Sequence, residues 1–202
     1  MAARRLVVLA LAALMLTFLP STSADNSLQS ANTLTEGVSV SGQVCYDDGC
    51  SPTDETDWWR VYAYKGDIVS ISFSGTLPNP DWLCIWGDGW EGDFSIHNSG
   101  GSQIASLALS DDNPTGTLSK TMNSADYVYV KIKGKDSWCN DAIDYTLTAS
   151  IDANDRDTDE DGYIDTEDSC DNTPGTSVYD RKGCIDSDSD GYSDPEVGWG
   201  PN

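Results

Sequence analysis

Apolar and polar residues alternate with a period of two along much of the chain from about residue 37 to residue 151. β-branched and aromatic residues fill many of these runs and turn-forming residues separate them, which is typical of short antiparallel strands. In the clearest run, 126–133, the alternation predicts that Val128, Val130 and Ile132 point inward, while its lysines and tyrosines share the opposite face. Helical periodicity is confined to the first 24 residues.

Seven to nine short strands with turns between them predict an all-β fold, an antiparallel β-sandwich over 37–151. Neighbouring residues of a strand point to opposite faces, so one of Trp58 and Trp59 is expected in the core. The predicted strands are 37–41, 59–64, 68–73, 82–86, 94–97, 103–109, 115–121, 126–133 and 143–151, with a hairpin turn at 65–67.

The first 24 residues have the pattern of a secretory signal peptide. Arg4 and Arg5 precede an apolar run, and Thr22-Ser23-Ala24 gives a small-x-small cleavage pattern. The alternative is a membrane anchor, but a spanning helix needs about 20 apolar residues and this run is shorter and ends at Pro20. We therefore expect cleavage after residue 24, a secreted, extracellular or cell-surface location, and a polar, flexible N-terminal segment over 25–36.

At residue 152 the composition changes abruptly. Residues 152–202 contain 16 acidic and 3 basic residues, and aliphatic residues nearly vanish. Such a segment cannot bury enough apolar surface to fold unaided. It is therefore either disordered or ordered by something other than a hydrophobic core.

The acidic segment contains a loop with the spacing of a calcium site. Acidic residues stand at loop positions 1, 3, 5, 9 and 12 with Gly162 at position 6, as in an EF-hand loop, where position 7 contributes a backbone carbonyl. Two carboxylates about 5 Å apart repel by roughly 3 kcal/mol at an effective dielectric of about 20. Several such pairs in one loop are therefore expected to need a bound cation to stay folded. The expected ligands are Asp157, Asp159, Asp161, Tyr163 through its carbonyl, Asp165 and Asp168.

The same spacing occurs a second time further along the chain. Here Val197 occupies position 12 and Glu196 falls one residue early, so the second site is expected to be weaker. The alternative for both loops is a solvated acidic linker, but two DxDxDG runs, each followed by Tyr and by a further Asp, are far more specific. We expect about two Ca²⁺ ions. The second ligand set is Asp186, Asp188, Asp190, Tyr192 through its carbonyl, Asp194 and Glu196.

Six cysteines follow the predicted signal peptide, an even number that suggests disulfides in an exported chain. Of the 15 connectivities possible, spacing favours one. A zinc site is the alternative, but the chain has no CxxC pair and His97 is its one histidine. The favoured pairs are Cys45–Cys50 around a tight turn, Cys170–Cys184 within the acidic segment, and Cys84–Cys139.

The stretch 157–196 resembles tandem thrombospondin type 3 repeats. The pattern DxDxDGxxDxxDxC is complete from Asp157 to Cys170, and Asn172-Thr173-Pro174-Gly175 stands where an EF-hand helix would continue. The resemblance implies calcium bound by the aspartates of both loops and a Cys170–Cys184 disulfide between neighbouring repeats.

Residues of roughly 50–151 resemble a bacterial pre-peptidase C-terminal domain. The similarity rests on 56–62, 65–71, 125–130 and 144–148. It implies a small jelly-roll-like sandwich of a kind often appended to secreted enzymes, with some members that bind matrix or polysaccharide.

Charge and composition exclude several functions. With 34 acidic against 11 basic residues the formal charge is −23, so the chain lacks the basic footprint that nucleic acid or anionic lipid requires. No nucleophile-elbow sequence is present, and a lone His97 in a strand is more often structural. The cluster Asp88, Glu91 and Asp93 is better explained by a solvated Gly-rich loop than by glycoside hydrolysis. We expect no enzymatic activity.

Three tryptophans, Trp82, Trp86 and Trp90, recur every four residues in a Gly-rich region that cannot be helical. They either pack in the core and stabilise their loop, or form an exposed platform for a glycan or a protein. The sequence therefore predicts a secreted calcium-binding protein whose sandwich is an adhesion or binding module on a calcium-stiffened stalk. The alternatives are a carbohydrate-binding module that uses these tryptophans, or an accessory fragment of a larger secreted hydrolase.

Overall fold

The structure, a computed structural model, describes residues 27–45, 54–76, 91–110, 112–135 and 142–195. In these ranges the regular structure consists of nine strands and one short 3-10 turn, Leu28–Ser30. The strands are β1 Asn32–Thr33, β2 Ser39–Cys45, β3 Thr56–Ala63, β4 Ile68–Thr76, β5 Glu91–His97, β6 Gln103–Ser110, β7 Thr115–Thr121, β8 Asp126–Lys135 and β9 Ala142–Asp152.

The strands form two sheets that face each other. One sheet has the order β1-β3-β8-β5-β6 and the other β2-β9-β4-β7, and every pair is antiparallel except β1 with β3. This architecture confirms the predicted all-β sandwich. The predicted signal peptide and the predicted strand 82–86 lie outside the described residues. No helix among the described residues is long and apolar enough to cross a membrane.

The core lies between the inner faces of the two sheets, as the period-two alternation predicts. Val128, Val130 and Ile132 of β8 are each at most 1% exposed and belong to one apolar cluster with Phe94 of β5. Leu147 of β9, in the opposite sheet, packs in the same cluster. The inward direction of the three β8 residues is therefore confirmed.

Trp58 and Trp59 lie on opposite faces of β3, and both are buried. Trp59 joins the central core. Trp58 packs on the outer face of the five-stranded sheet with Tyr129 and Ala31. The sequence pattern predicts only one of them in the core because it cannot show that a separate segment covers the second face.

That covering segment is the polar N-terminal stretch, which the sequence analysis predicts to be flexible. The structure differs: β1 pairs in parallel with β3, Leu34 donates its backbone N–H to the Arg60 carbonyl at 2.8 Å, and Leu34 is 3% exposed. Leu28 and Ala31 pack on Trp58. A few apolar residues at intervals of three are enough to dock the segment, although its overall composition is polar.

A short chain of buried hydrogen bonds crosses the core between the sheets. The indole Nε1 of Trp59 donates to the hydroxyl of Tyr145 at 2.8 Å, and this hydroxyl donates to the carboxylate of Asp57. All three residues are at most 9% exposed. Tyr145 therefore satisfies a buried donor and a buried acceptor at the same time.

Replacing Tyr145 with phenylalanine is expected to lower the free energy of unfolding by about 1–3 kcal/mol, because the buried indole N–H of Trp59 loses its acceptor. Urea denaturation followed by tryptophan fluorescence measures this. Tyr62→Phe is the matched control, since Tyr62 is 44% exposed and should change stability by less than about 0.5 kcal/mol. Equal effects of the two substitutions would contradict the assigned role of the Tyr145 hydroxyl.

Candidate metal centre

After β9 the chain forms two consecutive loops built largely from turns. In the first loop, 157–168, the N–H of Asp165 donates to the Arg156 carbonyl at 2.7 Å and closes the loop at its base. The Asp165 carboxylate accepts from both the N–H and the hydroxyl of Thr158 at 2.8 Å. Glu160 and Gly162 have positive φ angles of 64° and 105°, and these two residues turn the chain sharply enough to bring alternate carboxylates to one side.

The second loop repeats this frame with an offset of 29 residues. The N–H of Asp194 donates to the Ile185 carbonyl at 2.7 Å, and the Asp194 carboxylate accepts from the N–H and the hydroxyl of Ser187. Ser189 and Gly191 have φ angles of 61° and 90°. Two loops with different sequences between their aspartates therefore have the same backbone arrangement.

Each loop brings three carboxylates together. One carboxylate oxygen from each of Asp157, Asp159 and Asp161 lies within 4.8 Å of the others, and the same holds for the second loop. The second set is Asp186, Asp188 and Asp190. Such a cluster of oxygen donors suits a hard divalent cation.

The first cluster has buried carboxylate oxygens that the protein leaves unsatisfied. Asp157 is 4% exposed, and its Oδ1 has no hydrogen-bond partner among the described residues. Oδ2 of Asp159 is also buried and has no partner in the same part of the chain. Burial, together with the nearby charges of Asp161 and Asp168, raises the pKa of Asp159 above its usual value. Burial without a hydrogen-bond donor and the neighbouring like charges both disfavour the ionised form of these carboxylates.

The other predicted ligands have different positions. Both carboxylate oxygens of Asp165 accept from Thr158, and both oxygens of Asp194 accept from Ser187. The hydrogen bonds from Ser187 lower the pKa of Asp194. Asp168 accepts from the N–H of Cys170 at 2.7 Å and lies close enough to Asp159 to affect its pKa. Tyr163 and Tyr192 stand at position 7 of each loop, where each N–H donates to the preceding aspartate at 2.9 Å. Glu196 lies outside the described residues.

The first loop is attached to the sandwich, which the sequence analysis does not predict. Asp157 and Lys65 form an isolated antiparallel bridge, and the Lys65 ammonium lies 2.5 Å from Oδ2 of Asp157. This hydrogen bond raises the pKa of Lys65. The sequence predicts the hairpin turn 65–67, but nothing in the sequence places this turn beside residue 157.

A second contact joins the same turn to the base of the loop. The Arg156 guanidinium donates to both oxygens of Asp67, at 3.0 and 3.1 Å, and lies over the ring of Tyr64. The Asp67 side chain is fully buried and also accepts from the N–H of Tyr64 at 2.9 Å. The Asp67 contact raises the pKa of Arg156.

The structure contains the Cys170–Cys184 disulfide, with Cα atoms 5.1 Å apart, between the two loops. Cys45 is disulfide-bonded as well. The predicted partner Cys50 lies outside the described residues, as do both members of the predicted pair Cys84–Cys139. The Cys45–Cys50 and Cys84–Cys139 pairs therefore stay predictions.

His97 lies on the outer face of the five-stranded sheet in a buried pair with Ser95. The Ser95 hydroxyl is 2.9 Å from Nε2 of His97, and the Gly101 carbonyl is 3.1 Å from Nδ1. Burial lowers the pKa of His97, and its ring packs against Trp58 at 4.9 Å. Both ring nitrogens have local partners, which suits a structural role. Trp82, Trp86 and Trp90 lie outside the described residues, so their exposure stays a prediction.

No protein-family model matches the chain, and the comparison with curated proteins finds no match. Among the solved structures with a similar fold are the following two. The pre-peptidase C-terminal domain of collagenase from Bacillus anthracis is 14% identical, with a TM-score of 0.40 over 59% of this chain and 94% of that chain. The periplasmic inhibitor of g-type lysozyme from Aeromonas hydrophila is 11% identical, with a TM-score of 0.35 over 60% of this chain and 97% of that chain. At these values neither likeness assigns a role to any residue of this chain.

Proposed function

We propose that the acidic segment binds about two Ca²⁺ ions, one in each loop, and that calcium orders this segment beside the sandwich. The observation that carries the proposal is the pair of buried, unpartnered carboxylate oxygens in the first loop, on Asp157 and Asp159. In a folded loop these oxygens are unfavourable unless a cation compensates them. The second loop supports the proposal because it repeats the same backbone frame.

The donor chemistry favours a hard cation such as calcium over a soft transition metal. The clustered donors are carboxylate oxygens, which hard cations prefer and soft transition metals do not. In the first loop Asp157, Asp159 and Asp161 would hold the ion, with Asp168 beside them. Asp165 would keep the loop closed through Thr158. The bound ion supplies the positive charge that offsets the mutual repulsion of these carboxylates.

The resemblance to thrombospondin type 3 repeats agrees with this arrangement. The Cys170–Cys184 disulfide links the two loops, and the turn at Thr173, which donates its N–H to the Cys170 carbonyl at 2.7 Å, follows the first loop where a helix would follow an EF-hand loop. We therefore propose that residues 157–196 are a pair of such repeats.

For the whole chain we propose an exported, non-enzymatic binding module. The sandwich is the binding domain, and the calcium-ordered segment fixes the direction in which the chain continues from it. Glycan binding through Trp82, Trp86 and Trp90 stays a prediction, because these residues lie outside the described ones. A role as an accessory part of a larger secreted hydrolase also stays a prediction.

Calcium titration of the oxidised protein by calorimetry is expected to show saturable binding of about two ions per chain. The double variant Asp159→Ala/Asp161→Ala removes two clustered carboxylates from the first loop, and we expect it to weaken binding there at least about tenfold. The matched double variant Asp188→Ala/Asp190→Ala should act on the second loop alone.

Two results would contradict the proposal. The first is no binding at millimolar calcium, which would make the segment a solvated acidic linker. The second is identical isotherms for the parent chain and both double variants, which would place any bound calcium outside the two loops.

A further inference from the structure

The side chain of Lys65 reaches the first loop from the turn between β3 and β4. Its ammonium lies 2.5 Å from Oδ2 of Asp157, with the lysine side chain 34% exposed and the aspartate side chain 6% exposed. The backbone joins the same two residues, since the Asp157 N–H donates to the Lys65 carbonyl at 2.9 Å. A residue of the sandwich therefore contacts a carboxylate of the candidate calcium site.

The two oxygens of Asp157 have different surroundings. Oδ2 accepts from Lys65 and from the N–H of Gly162 at 3.2 Å, whereas Oδ1 is buried and has no partner in the part of the chain that the structure describes. The Gly162 contact and the backbone bridge hold the carboxylate in position independently of the lysine side chain. The ammonium is also close enough to Glu160 and Asp161 to interact with their charges. The lysine side chain therefore adds two things to the site, a hydrogen bond to Oδ2 of Asp157 and a positive charge.

The second loop differs at the corresponding position. Oδ2 of Asp186 accepts from the N–H of Gly191 at 2.9 Å, and Oδ1 of Asp186 is 3.2 Å from the N–H of Asp190. This loop forms hydrogen bonds with four residues of the preceding part of the acidic segment, Val178, Tyr179, Asp180 and Ile185. Its carboxylates are thus held by backbone and hydroxyl donors, where the first loop also has a lysine.

We infer that Lys65 is a built-in counter-cation of the first calcium site, supplied by the sandwich. The inference rests on the proposed function, because it assumes that the first loop binds calcium. Without calcium the ammonium offsets part of the repulsion among the clustered carboxylates and keeps the loop assembled on the sandwich. When Ca²⁺ binds, the two positive charges repel each other, so Lys65 lowers the calcium affinity of the site.

A purely structural salt bridge has the opposite consequence for calcium. If Lys65 only positioned Asp157, removing it would misplace a ligand and weaken calcium binding. If it acts through its charge, removing it destabilises the calcium-free loop and strengthens calcium binding. The sign of the change in affinity therefore separates the two roles.

The test is calcium titration of the full chain carrying Lys65→Met, in the Asp188→Ala/Asp190→Ala background that leaves the first site to be measured alone. We expect the first site to bind calcium about 3–10-fold more tightly than in the same background with Lys65. The calcium-free variant should also unfold at a lower temperature, so the increase in melting temperature on adding calcium should be larger. Lys65→Gln, which keeps a hydrogen-bond donor without the charge, provides the same test if the methionine variant does not fold.

Two further variants serve as controls. Lys65→Arg keeps the charge and should leave the calcium affinity within about twofold of the parent. Lys120→Met removes a lysine of the four-stranded sheet, which contacts the Thr121 carbonyl, and should change neither quantity.

Unchanged or weaker calcium binding by both uncharged Lys65 variants would overturn the inference while leaving the proposed function standing. A parent chain that binds no calcium would instead overturn the proposed function, and the inference with it. The two failures are therefore distinguishable in one set of titrations.

Discussion

Replacing Arg156 with methionine is expected to lower the free energy of unfolding by about 3–5 kcal/mol. The Asp67 carboxylate is fully buried, and the Arg156 guanidinium satisfies both of its oxygens at 3.0 and 3.1 Å. Without the guanidinium, the N–H of Tyr64 is the one donor among the described residues that would still contact this buried carboxylate. Removing one partner of a buried ion pair costs far more than the pair contributes. Urea denaturation followed by tryptophan fluorescence measures the loss.

Lys182→Met is the matched control for Arg156. Lys182 and Glu167 form an exposed pair at 3.7 Å, and such pairs contribute at most about 1 kcal/mol. The double variant Asp67→Asn/Arg156→Met removes both charges and should recover part of the loss, which makes the pair suitable for a double-mutant cycle. Equal losses for Arg156→Met and Lys182→Met would show that the acidic segment is not anchored through Asp67.

Replacing Gly66 with alanine is expected to lower the free energy of unfolding by about 3 kcal/mol or more, since it combines backbone strain with a clash. Gly66 has a φ of +87°, and a Cβ placed there would lie 1.6 Å from the backbone oxygen of Asp155. The clash is with backbone, so residues 155–157 would have to move away from the turn. Limited proteolysis between residues 153 and 170 should then accelerate, and denaturation measures the loss of stability.

Gly37→Ala separates strain from clash. Gly37 has a similar φ of +72°, but no atom of the described residues lies within 4 Å of the position that its Cβ would take. This substitution should therefore cost only about 1–2 kcal/mol of backbone strain and leave proteolysis of the acidic segment unchanged. If Gly66→Ala behaves like Gly37→Ala, the close approach of Asp155 to the turn contributes little to stability.

These predictions share one structural premise, that the first loop and the sandwich form a common unit. The turn 64–67 contacts the loop base through Lys65 and Asp67, and the Glu160 carboxylate accepts from the backbone N–H of Ala125 at 2.8 Å on another part of the sandwich. Calcium bound in the first loop would therefore stabilise the sandwich as well as the loop. Calcium bound in the second loop would act on the sandwich through the intervening disulfide and turns.

Patterns local in sequence were sufficient for much of the fold. The alternation in 126–133 predicts the inward face of β8, because successive side chains of a strand necessarily point to opposite faces. Trp58 and the polar N-terminal segment are where this reasoning falls short. The burial of Trp58 depends on Ala31 and Leu28, and no local pattern shows that such a segment returns to cover the sheet.

The same division holds for the candidate site. The sequence by itself determined the two clusters of three carboxylates, because their aspartates lie within five residues of each other, where the backbone of one tight loop is enough to gather them. Only the tertiary structure decided that Lys65 reaches Asp157, 92 residues away, and that Arg156 reaches Asp67, 89 residues away. These contacts form because the last strand, β9, ends close to the turn between β3 and β4. The position of that end depends on the packing of the whole domain and not on the spacing of residues along the chain.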